Sequence, residues 1–198
     1  IKSVPLHKLL DRRYLAGRRT TIDRTSASRS EDIRPGSAPG YESMETTHFS
    51  VVDRDGNAVA MTYTLNGSYG SGVTVPGAGF LLNNEMDDFA TRPGQANMFG
   101  LVQGEANKVE PGKRPLSSMT PTIVAREGKL AMVAGAPGGG RIINAVLQAI
   151  LNVIDFGMDA QQAVDAPRIH HQWMPDKLNV EFGVSPDTIA LLKRMGHD

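Results

Sequence analysis

The alternation of apolar and polar residues along the chain predicts two pairs of β-strands, each joined by a short polar turn. The first turn contains Asp55-Gly56, a dipeptide typical of tight hairpins, and the second contains Glu127-Gly128. Because so few residues separate the two runs of each pair, we expect two antiparallel hairpins. The predicted strands are residues 47–52, 58–65, 122–125 and 129–134.

Helical periodicity is found toward the two ends of the chain. Residues 5–19 place leucines among basic residues, which suits a short amphipathic helix with a basic outer face. Apolar residues are so dense at 142–156 that we expect this helix to be buried on a sheet. Shorter helices are predicted at 160–165 and after Ser185, an N-cap, with Gly196 past the end of the last one. Hairpins followed by packed helices indicate an α+β layered domain.

The segments between these elements show neither the alternation of a strand nor the periodicity of a helix. Residues 25–44 are rich in Pro, Gly and Ser and are predicted to be a linker. A Gly-rich segment at 66–79 precedes residues 80–82, which we expect to form a short buried strand. Residues 91–115 are predicted to be a long irregular loop, and loops of that length are usually functional or disordered.

Composition and charge exclude several functions. The 198 residues are 40% hydrophobic, enough for the core of one domain. The 21 basic and 21 acidic residues cancel, so no net field attracts nucleic acid or an anionic membrane, and the basic patch at 5–19 is too small to predict either. The absence of cysteine excludes disulfides and thiolate chemistry. No apolar run approaches the roughly 18 residues of a membrane span.

A glycine-rich segment precedes the densely apolar helix. Gly135 and Gly140 have the spacing of a phosphate-binding loop, but Arg141 and Ile142 stand where such a loop needs Lys and then Ser or Thr. The sequence therefore disfavours nucleotide binding. Consecutive glycines before a helix leave backbone N–H groups unshielded, which suits a carbonyl oxygen that becomes negative, although a tight turn has the same sequence.

Threonine is the remaining candidate nucleophile. Adjacent histidines at 170 and 171 do not have zinc-ligand spacing, and no convincing Ser-His-Asp set is present. Thr46 lies where the predicted linker meets the first strand. Its hydroxyl can cut the Glu45–Thr46 bond, and the freed α-amino group can then act as its base.

Two further polar groups are candidates for substrate binding. Residues 83–89 combine three carboxylates with two amides, which suits a solvated turn, a weak calcium loop without EF-hand spacing, or a site for an ammonium group. Residues 113–119 contain two serine hydroxyls that can donate hydrogen bonds to a carboxylate. Taken singly, each motif favours a structural role.

Taken together and in this order, the motifs resemble the γ-glutamyltranspeptidase family. The segments that carry the resemblance are THFSVVDRDGNAVAMTYTLN, LLNNEMDDF, KRPLSSM, GAPGGGRI and APRIHHQW. The resemblance implies part of an N-terminal-nucleophile hydrolase fold, an αββα sandwich of two antiparallel sheets between helices. It also implies that residues 1–45 are the C-terminal end of a large subunit with a flexible linker, and that 46–198 are a small catalytic subunit truncated at its C-terminus.

The resemblance assigns roles to individual residues. Thr46 is the expected nucleophile, its freed amine the general base, and Thr64 the hydroxyl that hydrogen-bonds to it. Gly138 and Gly139 are expected to form the oxyanion hole, and a loop at 93–104 either covers the pocket or is disordered. The residues expected to bind the γ-glutamyl group are Asn66, Glu85, Asp88, Ser117 and Ser118.

The implied activity is γ-glutamyl transfer or hydrolysis on glutathione through a γ-glutamyl-threonine intermediate, after self-cleavage at Glu45–Thr46. Water or an amino acid is the expected acceptor, and no metal or cofactor is implied. The expected partner is a large subunit, which supplies an arginine for the substrate carboxylate, and the expected location is periplasmic or extracellular. Alternatives are a β-lactam or glutaryl acylase on the same scaffold, or a non-catalytic homologue.

Overall fold

The helices and strands follow the order expected for an α+β chain. The structure, a computed structural model, describes residues 6–33, 46–98 and 100–198. Pro5, most of the predicted linker, and Glu45 lie outside the described residues. The strands are β1 (Thr47–Val52), β2 (Ala58–Tyr63), β3 (Thr122–Arg126), β4 (Lys129–Ala134), β5 (Ile169–His170) and β6 (Asn179–Val180). The helices are α1 (Leu6–Leu9), α2 (Arg12–Arg19), α3 (Arg141–Ile154), α4 (Ala160–Asp165) and α5 (Pro186–Arg194).

Both predicted hairpins are confirmed. β1 pairs antiparallel with β2, and β3 pairs antiparallel with β4 around a register shift between Val124 and Ala125. In the first turn the Asp53 carboxylate accepts the backbone N–H of Asn57 at 2.9 Å and its side-chain amide at 2.7 Å. These bonds from Asn57 hold the pKa of Asp53 below its usual value. The second hairpin packs against β2, so the two hairpins meet.

The prediction of a single helix at 5–19 is wrong in one respect, because the structure divides this segment into α1 and α2. Asp11 is the cause, since its carboxylate accepts the N–H groups of Arg13 at 2.8 Å and Tyr14 at 2.9 Å and so begins a new helix. The two predicted later helices are confirmed as α4 and α5. Ser185 caps α5 through a bond from the Thr188 N–H at 3.2 Å.

Only one face of α3 is buried. Ile142 and Val146 are 1% and 4% exposed, whereas Leu147 on the opposite face is 52% exposed. The expectation of a helix buried on a sheet therefore holds for one side alone. The helix packs on β4, α4 and β5. Among the described residues, no helix combines the length and apolar content needed to cross a bilayer.

The predicted buried strand at 80–82 is wrong. Leu81 makes a single bridge to Thr74, and Phe80 and Leu82 are exposed. Three apolar residues in a row are too few to separate a strand from a loop by pattern. The predicted irregular loop at 91–115 is confirmed, with one short 3₁₀ turn at Glu105–Asn107.

The described part of the predicted linker is anchored. The Ser30 N–H donates to the Asp176 carboxylate at 2.8 Å, and the Trp173 indole N–H donates to the Ser30 carbonyl at 2.6 Å. The Ala27 N–H also donates to the Met195 carbonyl at 2.7 Å. Residues that are distant in sequence therefore hold this segment in place.

Candidate active site

An open pocket lies where β1 begins and β2 ends. Thr47 of β1 is paired with Tyr63 of β2, so the next pair outward brings Thr46 and Thr64 together, and both line the pocket. Its cavity volume is about 40 Å³. Of the predicted site residues, the structure places Thr46, Thr64, Asn66, Asp88, Ser117, Ser118 and Gly139 on its wall.

Asn66 is held tightly beside the two threonines. It is 3% exposed and has a φ of 76°, a left-handed conformation that Asn adopts more readily than most residues. Its N–H donates to the Thr64 hydroxyl oxygen at 2.9 Å, and its side-chain amide donates to the Asn84 carbonyl at 3.1 Å. These bonds join the end of β2 to residues 83–89, the acidic segment.

The acidic segment forms a 3₁₀ turn, Glu85–Asp88, that brings Asp88 to the pocket. Burial, the charge of Glu85, a hydrogen bond with Glu85 and the charge of Asp87 together raise the pKa of Asp88 to about 7. Burial also raises the pKa of Glu85. Glu85 is not among the described lining residues, so the structure places it against the Asp88 carboxyl and not on the pocket wall.

The glycine-rich segment at 135–140 forms a second wall of the pocket. Gly138 and Gly139 have φ values of 129° and 58°, and α3 begins directly after Gly140. Gly139 and Gly140 line the pocket, whereas Gly138 is not in the described lining. Within the described part of the chain, the N–H groups of Gly138 and Gly139 donate no hydrogen bond. They are therefore available as donors.

Gly135 begins this segment and has no room for a side chain. A Cβ built on Gly135 overlaps the imidazole of His48, which is itself held by the hydroxyls of Thr62 at 2.8 Å and Ser50 at 3.0 Å. The ring therefore has little freedom to move aside. Only glycine allows the chain to pass His48 on its way to the pocket.

We expect Gly135→Ala to lower the free energy of unfolding by about 1 to 3 kcal/mol, the usual cost of overpacking. Gly17→Ala is the matched control, because a Cβ there meets nothing within 4 Å and the site is inside α2. The free energy of unfolding of that control is expected to rise by about 0.5 to 1 kcal/mol. Urea denaturation of both variants measures the difference, and equal stabilities would contradict the predicted overlap.

Several lining residues were not identified from the sequence. Leu101 and Gln103 belong to the loop that was expected to cover the pocket or be disordered, and both line it. The Met98 sulfur in the same loop accepts the side-chain amide of Asn84 at 3.2 Å. Nothing in the residue types of this loop marks these positions, because tertiary contact alone brings them to the site. The other missed residues are Leu116, Met119, Gly140 and Ile142.

The two meeting antiparallel hairpins and their helices form part of an N-terminal-nucleophile hydrolase fold, which the chain shares with solved γ-glutamyltranspeptidase and cephalosporin acylase structures. The γ-glutamyltranspeptidase family model matches residues 1–198. The chain belongs to the γ-glutamyltranspeptidase family.

Individual relatives agree with this assignment. The chain is 54% identical over 193 residues to the glutathione hydrolase proenzyme of Escherichia coli K12, covering 98% of this chain and 33% of that protein. A mutant γ-glutamyltranspeptidase of Helicobacter pylori is 57% identical with a TM-score of 0.75, over 77% of this chain and 82% of that one. The cephalosporin acylase of Bacillus halodurans is 27% identical, with a TM-score of 0.75 over 99% of this chain and 32% of that one. The chain thus spans about a third of the length of the E. coli relative.

Proposed function

We propose that the protein transfers or hydrolyses the γ-glutamyl group of glutathione and related γ-glutamyl amides. The observation that carries the proposal is the convergence of Thr46, Asp88, the two serines Ser117-Ser118 and Gly139 on one pocket. These residues supply a hydroxyl nucleophile, a carboxylate for an ammonium group, hydroxyl donors for a carboxylate and a backbone donor for an oxyanion. A γ-glutamyl amide carries a partner for each of them.

The proposed chemistry begins with self-cleavage. The Thr46 hydroxyl attacks the Glu45 carbonyl carbon, the C–N bond breaks, and the resulting ester is hydrolysed by water. This sequence frees the Thr46 α-amino group, which can then take the proton of its own hydroxyl. In the proposed assembly, residues 1–45 then belong to a large subunit that stays bound to the new chain.

In turnover, the Thr46 oxygen attacks the γ-carbonyl carbon of the substrate. The tetrahedral oxyanion is stabilised by the N–H groups of Gly138 and Gly139, where losing one donor typically costs about 3 to 4 kcal/mol. The amine leaves with the proton held by the α-amino group, and a γ-glutamyl ester remains on Thr46. Water or an amino acid then attacks the carbonyl carbon of this ester, the bond to the Thr46 oxygen breaks, and that oxygen regains the proton released by the water or amine. Thr64 orients the threonine hydroxyl in both halves of the reaction.

The head group of the substrate distinguishes this proposal from its rival. Asp88 and the two serine hydroxyls suit an α-amino acid, whereas an acylase need not bind an ammonium group. The likeness to a cephalosporin acylase makes acylase activity the second candidate.

By family membership we also expect a periplasmic or extracellular location.

The test compares γ-glutamyl and glutaryl p-nitroanilides as substrates of the full-length protein. We expect a strong preference for the γ-glutamyl compound. A preference for the glutaryl compound would instead support acylase activity. N-terminal sequencing of the small chain is expected to read Thr46-Thr47-His48. An uncut protein without turnover would favour a non-catalytic homologue.

We expect the pH dependence of kcat/KM to contain the protonation of Asp88 in the free enzyme, together with that of the Thr46 α-amino group proposed as base. Below pH 7 the protonated carboxyl is neutral and binds an ammonium group poorly, so kcat/KM is expected to rise with a midpoint of about 7. Glu85→Gln removes a neighbouring negative charge and is expected to move this midpoint to lower pH. Steady-state kinetics between pH 5 and 9, at about 0.15 M salt, measure the shift. An unmoved midpoint would show that Asp88 does not set the profile.

A further inference from the structure

The two sides of the proposed substrate pocket come from separate segments. Asp88 ends the Glu85–Asp88 turn, and Ser117 and Ser118 lie in an irregular stretch before β3. No strand pairing joins these two segments within the described residues. Their separation must nevertheless match the fixed distance between the α-amino and α-carboxylate groups of the substrate.

The Asn107 side chain connects the two segments. Its amide nitrogen donates to the Asp88 carbonyl at 2.6 Å and also to the Gln103 side-chain oxygen. Its amide oxygen accepts the N–H of Leu116, directly before Ser117, at 2.9 Å. A single carboxamide thus touches the backbone of Asp88 on one side and the residue next to Ser117 on the other.

The surroundings of Asn107 make this connection rigid. The residue is 5% exposed, so its hydrogen bonds are shielded from water. Its backbone is also fixed, because its carbonyl accepts the Ala90 N–H at 3.0 Å and its N–H donates to the Gly104 carbonyl at 3.0 Å. Gln103, which lines the pocket, donates to the same Asp88 carbonyl at 3.2 Å.

We infer that Asn107 is a positioning residue that sets the spacing between the ammonium side and the carboxylate side of the substrate pocket. It does not line the pocket, so it acts through Asp88 and the Ser117 segment. The inference rests on the proposed function. A carboxamide suits the task because it offers two donors and an acceptor in one plane.

The test uses the full-length enzyme with Asn107→Ala, and Asn107→Ser as a second variant whose hydroxyl is too short to bridge both contacts. Inhibition of γ-glutamyl turnover is measured with L-glutamate, which has both head groups, and with glutarate, which lacks the ammonium group. Because a misplacement of about 1 Å can cost about 100-fold, we expect L-glutamate binding to weaken at least about tenfold more than glutarate binding. The KM of the γ-glutamyl anilide should rise more than kcat falls.

Asn152→Ala is the matched control. The Asn152 side chain joins α3 to α4 through the Ala163 carbonyl at 3.2 Å and is not part of the pocket wall. It is expected to lower the thermal midpoint without changing the ratio of the two inhibition constants. Equal weakening of both inhibitors in the Asn107 variants overturns the inference alone. A wild-type enzyme that does not turn over the γ-glutamyl anilide overturns the proposed function and this inference with it.

Discussion

Thr46→Ala is expected to leave the full-length protein as one chain and to abolish γ-glutamyl turnover. Alanine has no hydroxyl to attack the Glu45 carbonyl, so the α-amino group that we propose as the base would not be released. The same missing hydroxyl removes the proposed nucleophile of the second reaction. Loss of a nucleophile that acts with its base as a unit typically costs about 10⁴- to 10⁶-fold in kcat.

Thr47→Ala is the matched control, because it removes the same hydroxyl one residue further along. Thr47 is exposed in β1 and does not line the pocket. Neighbouring residues in a strand point to opposite faces, so its side chain is directed away from that of Thr46. Denaturing gels and p-nitroanilide release measure cleavage and turnover. Wild-type turnover by the Thr46 variant would refute the nucleophile assignment.

Asp88→Asn is expected to lower kcat/KM for γ-glutamyl substrates by about 30- to 4,000-fold, the cost of truncating one partner of a desolvated charge pair. The amide keeps the size of the side chain but has no charge to neutralise the ammonium group that Asp88 is proposed to bind. Turnover of the glutaryl anilide, which has no ammonium group, is expected to change far less. Steady-state kinetics with both substrates measure the change in preference.

The same substitution is expected to raise stability at pH 8. Since the pKa of folded Asp88 is raised to about 7 from 3.8, the folded state keeps a proton that the unfolded state releases. Stability therefore falls as pH rises through this window, and the loss is complete above pH 7. The carboxamide of the variant cannot ionise and avoids the loss, so thermal denaturation should separate the functional effect from unfolding.

Asp87→Asn is the control for this position. Asp87 lies beside Asp88, accepts the Met98 N–H at 3.0 Å, and does not line the pocket. Its substitution is expected to keep the preference for γ-glutamyl over glutaryl substrate. Loss of that preference in the Asp87 variant, with its retention in the Asp88 variant, would show that Asp87 and not Asp88 binds the ammonium group.

Much of the candidate site follows from sequence motifs. Their order identifies the family, and Thr46, Asp88 and Ser117 meet in the pocket although the motifs that contain them are far apart in the chain. Two positions differ from the simple expectation. Glu85 reaches the site through Asp88, and Gly139 lines the pocket where Gly138 does not. A motif identifies a segment, whereas the backbone angles decide which residue of that segment faces the cavity.

The sequence by itself determined the two hairpins, α4 and α5, because turn and cap residues act within a few positions of the structures they specify. Tertiary structure alone decided which face of α3 is buried, the exposure of Phe80 and Leu82, and the connection made by Asn107. It also decided the burial that is the largest cause of the raised pKa of Asp88, to which the nearby Glu85 and Asp87 add. Each of these properties depends on neighbours that no local pattern specifies.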